Sequence, residues 1–80
     1  MYGWAKIISE DSRYLRIGYS YGDDDACDGI LLHDKGTKET IIEKLSSTTT
    51  EKIAKWMCCP IMASHIHGRL KTTLTFIATG

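Results

Sequence analysis

Three sets of residues in this sequence have the types and spacing to do chemistry. The first lies in YSYGDDDACDG, residues 19–29, which places four aspartates and a cysteine within eleven positions. Clustered carboxylates hold hard cations through oxygen, so Asp24, Asp25 and Asp28 are the candidate metal ligands. A calcium loop of the helix–loop–helix kind needs oxygen ligands at positions 1, 3 and 5, glycine at 6 and a bidentate acid at 12. With Gly29 at position 6, position 3 is Ala26 and position 12 is Lys35. Half of that ligand set is missing, which leaves only a looser calcium or magnesium site. The competing reading is a solvated connector between strands. Acid–base work by paired carboxylates needs environments that separate their pKa values. Asp23, Asp24 and Asp25 are consecutive, so their side chains diverge. Cys27 sits among these acids, and negative charge nearby disfavours the thiolate that a nucleophile needs.

The second set is helical. Cys58, Met62 and His65 recur at i, i+4 and i+7 and form a stripe of soft ligands suited to copper(I) or zinc. The adjacent pair Cys58-Cys59 lacks the usual zinc spacing, and Cys and Met at helical intervals are also ordinary core residues. His65 and His67 fit the end of a helix, where they interact with its dipole. Local sequence joins no Ser or Cys to a His and an acid, so it points to no catalytic residue. No cofactor is expected.

The third set needs a sheet. Trp4 and Lys6 share one strand parity, as do Tyr14 and Arg16, so these residues can lie together on the outer face of a first hairpin. Aromatics interleaved with bases stack and neutralise single-stranded nucleic acid. The same residue types anchor protein interfaces, and a solvated face with a few exposed aromatics needs no function at all.

The elements that must position these residues follow from periodicity. WAKIISEDSRYLRIGYSY reads as a hairpin turning at SEDS, with Leu15, Ile17, Tyr19 and Tyr21 on one face. Gly18 weakens the second strand and marks a bulge. GILLHDKGTKETIIEKL reads as a second hairpin, with Asp34-Lys35-Gly36 closing it and Gly36 in the left-handed region. A helix over residues 37–45 is the alternative, since Ile41, Ile42 and Leu45 also fit helical spacing. His33 is read as an outward strand residue. The segment after SSTTT is a helix, capped by Thr48 with Glu51, kinked or split at Pro60 and stopped by Gly68. Its apolar surface is broad enough to suggest a sheet beneath it and a partner beyond. RLKTTLTFIAT is a last strand with Leu70, Thr72, Leu74 and Phe76 inward. The expected fold is therefore α+β over residues 1–80 as a single domain. It is a two-layer arrangement in which an antiparallel meander of about five strands, ordered β-β-β-β-α-β, is covered on one face by one kinked helix.

The totals narrow the function classes. Formal charge is zero, so no bulk field draws the chain to nucleic acid or membrane. Three cysteines, two of them adjacent, make a poor disulfide framework and point to reduced thiols and a cytoplasmic setting. No apolar run reaches the length of a membrane span, and the first residues lack the basic-then-apolar layout of a secretion signal. The leading expectation is a small non-enzymatic domain that binds protein, its partner being another protein or a second copy in a homo-oligomer, through Trp4, Lys6, Tyr14 and Arg16. Single-stranded nucleic-acid binding through that face, and metal binding through the acidic loop or the Cys/Met/His stripe, are the alternatives.

Overall fold

The period-two apolar runs of the first half become four consecutive strands. In the computed structural model, which describes residues 2–78, these are β1 (Tyr2–Glu10), β2 (Tyr14–Tyr21), β3 (Gly29–Asp34) and β4 (Thr40–Lys44), followed by α1 (Glu51–Ile66) and β5 (Thr75–Ala78). The sheet order is β4-β3-β2-β1-β5, with every neighbouring pair antiparallel. The first four strands form a meander, and the chain returns through α1 to lay β5 on the free edge of β1. This is the expected α+β two-layer fold, and residues 40–44 are strand rather than helix.

Short acidic side chains close both hairpins. The Asp11 carboxylate accepts the backbone N–H groups of Arg13 (2.8 Å) and Tyr14 (2.6 Å). Asp34 does the same for Gly36 (2.8 Å) and Thr37 (3.2 Å). The second turn is longer than expected, because Asp34 N–H bonds to the Glu39 carbonyl and Lys38 N–H to the Asp34 carbonyl. The left-handed position therefore falls on Lys38 (φ 68°) and not on Gly36.

Register places Leu15, Ile17 and Tyr19 of β2 beside Leu31 of β3, Ala5 of β1 and Ile77 of β5 in one core cluster. Ala54, Met57 and Ile61, at i, i+3 and i+7 on α1, complete it. Removing each large side chain of this set from water contributes about 1.5–3 kcal/mol before entropy is counted.

Three expectations are corrected. The helix cap is Thr50, whose hydroxyl accepts the Ile53 N–H at 3.3 Å. Thr48 is diverted, since its hydroxyl accepts the Tyr21 N–H at 2.8 Å where β2 ends. His33 faces inward: it pairs with Leu15, and only 8% of its surface is exposed. The parity of the last strand is reversed, with Ile77 buried while Phe76 and Leu74 are exposed. The cause is a bend before β5. Ala5 pairs with Thr75, yet Ile7 N–H bonds to the Lys71 carbonyl, so the intervening residues break the period-two count. Of the two readings at Pro60, the split is absent: α1 is one helix through it, with Gly68 (φ 72°) just beyond its His67 cap, where the helix was expected to stop. Trp56 and Ile66 stay open to solvent, and the Lys52 ammonium lies 4.9 Å from the Trp56 ring centre.

Candidate functional site

The sheet face turned away from α1 collects the residues expected to bind a partner. Trp4 opposes Ser20 and Lys6 opposes Gly18, while Arg16 and Tyr14 continue the same parity along β2. The four therefore share one face, but they are spread along it and engaged differently. Trp4 packs edge-on against Phe76, with ring centres 5.3 Å apart, and Tyr2 lies 5.9 Å from Phe76 on the other side. Phe76 is 54% exposed and Tyr2 41%, so the three rings form an open aromatic ridge where β1 meets β5. Arg16 is not free: its guanidinium reaches across β3 to both Glu43 carboxylate oxygens, at 3.0 and 3.3 Å. Tyr14 lies under the Arg13 guanidinium at 5.2 Å and lines a shallow depression of about 210 Å³ with Leu32 and Ile41.

The acidic connector is not a free loop. It folds back over the middle of this face, where Gly18 leaves room. A side chain at Gly18 would meet Cys27 Cβ at 3.3 Å and Ile8 Cδ1 at 3.2 Å. The Ser20 hydroxyl, fully buried beneath the connector, donates to the Asp24 carbonyl and accepts the Cys27 N–H at 3.3 Å. The Tyr2 hydroxyl donates to Asp23 at 2.7 Å. Gly18 was the one sign of this docking in the sequence: it marks a close approach of backbone, while the bulge itself falls on β1 between Ile7 and Ser9. Phe76, expected inward, joins this face because the bend before β5 shifts the strand's parity, and Tyr2 shares the parity of Trp4 on β1.

Two of the three carboxylates proposed as metal ligands, Asp28 and Asp24, serve the chain itself. Asp28 accepts from the Ser46 hydroxyl (2.6 Å), the Ser47 hydroxyl (2.6 Å) and the Ser47 N–H (3.1 Å). Asp24 turns to the Ala26 N–H at 2.8 Å, and Asp25 is exposed. Among the described residues no three His, Cys, Asp or Glu side chains are grouped to hold a metal ion. Cys58 and Met62 pack half-buried against the core, apart from any such group. Burial pushes the Cys27 thiol pKa up, the Ser20 contact and Lys6 oppose it, and Asp25 and Asp24 add to the rise. That thiol is a packed, protonated group rather than a nucleophile.

The Ser46 and Ser47 bonds hold the Asp28 pKa at about 2, against roughly 3.9 for an unfolded aspartate. Because the folded value is the lower one, this carboxylate's contribution to stability is full above the unfolded value and drains away as pH falls towards the folded one. Other carboxylates act in the same sense, since the Lys35 ammonium holds Glu10 down and the Tyr14 and Arg13 amides hold Asp11 down. Urea midpoints stepped from about pH 5 to about pH 2 should therefore fall, and Asp28→Asn should shrink that acid limb. An undiminished limb in the variant would contradict the role given to Asp28.

No protein-family model matches the chain, and no curated protein or solved structure matches it either. Among the described residues no helix is long and apolar enough to cross a membrane.

Proposed function

We propose that this chain is a non-enzymatic, cytoplasmic protein-interaction domain that self-associates through the sheet face opposite α1. The observation that carries the reading is the Tyr2–Trp4–Phe76 ridge, in which Phe76 packs against both other rings, Trp4 is half-buried, and Tyr2 and Phe76 stay open to solvent. Aromatic anchors of this kind supply most of the energy of protein interfaces.

Three features favour a second copy as the occupant. The ridge and the Tyr14/Leu32/Ile41 depression lie on one face, so a two-fold axis in that face, between them, exchanges them and seats each ridge in the partner's hollow. The face also carries both signs of charge. Asp23 lies at the Tyr2 end, and Lys6 and Lys44 lie in the rows beyond it. A standard interface covers about 800 Å² per partner, roughly one sixth of the 4747 Å² this fold exposes. Single-strand binding would use the same aromatics, but Arg16 is bound to Glu43 and the acidic connector lies across the centre of the face. The free, unbridged state of Cys27, Cys58 and Cys59 accords with a reducing compartment.

Sedimentation equilibrium of the full chain tests the reading. A dimer should form at about 100 µM, and Phe76→Glu should raise its dissociation constant by about tenfold or more. Trp56→Glu, on the far side of α1, should leave it unchanged. A monomer at that concentration, or a dimer indifferent to Phe76→Glu, overturns the proposal. Salt-sensitive retention of a monomer on heparin, lost in Lys6→Ala, would replace it with the nucleic-acid reading.

A further inference from the structure

The layer that carries α1 holds a concavity unrelated to the aromatic face. A half-open cleft of about 640 Å³ runs between the C-terminal turns of α1 and the β3–β4 hairpin. Glu10, His33, Lys35, Lys38 and His65 supply its polar lining, and Met62 and Ile66 part of its apolar wall. Two lysines and two imidazoles thus face a single carboxylate. That carboxylate is already committed, because Glu10 pairs with the Lys35 ammonium at 2.5 Å. Among the described residues Lys38 makes no ion pair, and the two imidazoles line the cleft with it.

Two features show how this lining is held. Lys38 occupies the left-handed backbone region (φ 68°), which disfavours every residue with a side chain, while Gly36 in the same turn does not. The turn therefore spends its strained position on a long cation that lines the cleft, the kind of strain that gathers at ligand sites. His33 is nearly buried, and its Nδ1 is fixed on the Thr40 hydroxyl at 2.8 Å. His33 also lines the cleft. The carbonyls of Ala63, Ser64 and His65 accept N–H groups from His67, Arg69 and Gly68, so the last turn of α1 beside the cleft is capped by its own chain.

We propose that this cleft binds a small organic anion, its carboxylate or phosphate held by Lys38, His33 and His65 and its apolar part laid on Met62 and Ile66. Burial, with His65 and Lys38 nearby, pushes the His33 pKa down. A bound anion reverses that balance, so binding takes up protons and is favoured at lower pH.

Amide and imidazole NMR of the full chain, titrated with inorganic phosphate, phenyl phosphate and benzoate, tests the site. Saturable shifts should centre on His33, Lys38 and His65. Phenyl phosphate should bind about tenfold more tightly than phosphate alone, as the apolar wall requires. Affinity should drop severalfold from about pH 6 to about pH 8. The order of phenyl phosphate and benzoate assigns the preferred head group. Lys38→Gly is the decisive variant, because it relieves the backbone rather than straining it. Its melting point should equal or exceed that of the parent while its affinity for phenyl phosphate falls about tenfold. Non-saturating shifts spread over all lysines, or an affinity untouched in Lys38→Gly, overturns the proposal.

Discussion

Gly29→Ala is expected to destabilise the fold by about 3 kcal/mol, the upper end for inserting a single carbon into a packed core. Gly29 opens β3 directly opposite Tyr19. A Cβ there would lie 2.5 Å from Tyr19 Cζ, closer still to Cε1, and 2.8 Å from Ser46 Cβ. Such contacts are relieved only if something moves, and neither neighbour is free to do so. Tyr19 is fully buried, its hydroxyl accepting the Ser46 N–H at 3.1 Å and pointing to the Lys44 carbonyl at 3.4 Å. Ser46 is 1% exposed and tied to Asp28 and Thr48. Shifting the ring therefore opens the junction between β4 and the turn that feeds α1. The backbone of Gly29 is not in the left-handed region, so the cost is steric rather than conformational. Urea unfolding should show a midpoint lower by about 2–3 M for a slope of roughly 1 kcal/mol/M. Gly36→Ala, whose added carbon meets only Asp34 Oδ1 at 3.2 Å, should barely register beside it. Tyr19→Phe should not rescue Gly29→Ala, because ring carbons and not the hydroxyl make the clash. A midpoint for Gly29→Ala matching the parent would refute the packing described around Tyr19.

That junction also shows where sequence reading stops. The strand faces were legible wherever period two ran unbroken, as in Leu15, Ile17 and Tyr19, because alternation follows from the pleat alone. The helix stop was legible because Gly68 supplies a local conformation that needs no distant partner. What failed depended on groups far away in sequence. Thr48 and Thr50 have the same chemistry, and only the Tyr21 amide, contributed by β2, decides which of them caps α1. Phe76 and Ile77 exchange faces because residues 71–74 bend to meet β1. The candidate face divides in the same way. Parity placed Trp4, Lys6, Tyr14 and Arg16 together, but it carried no sign that Glu43 would take up Arg16 or that residues 23–28 would fold over Ser20. His33 was assigned to solvent because a histidine gives no parity of its own. Its inward position follows from the register with Leu15, and with it comes the cleft.

Leu31→Ala should be the other large loss, about 3 kcal/mol within the 2–5 usual for such truncations. Leu31 belongs to a row that crosses the meander under α1: Ile7 opposes Ile17, Ile17 opposes Leu31, and Leu31 opposes Ile42. Ile17 and Leu31, the middle pair, are wholly buried, and their core cluster includes Ala54, Met57 and Ile61 of α1. Truncation at the centre leaves a cavity whose walls are strand backbone on one side and a docked helix on the other, so collapse around it is poor. A domain of this length has about 4–12 kcal/mol in total, so one substitution removes a quarter or more of it. Calorimetry should show a melting point lower by roughly 12–24 °C, at about 4–8 °C per kcal/mol. Ile41→Ala is the informative contrast. Ile41 adjoins the row's Ile42 but points to the outer face, where it is 55% exposed. In protein dilute enough to be monomeric, its loss should stay within about 0.5 kcal/mol. Equal costs at the two positions would mean that β4 can slip by one residue, and both the row under α1 and the hollow opposite the aromatic ridge require that it does not.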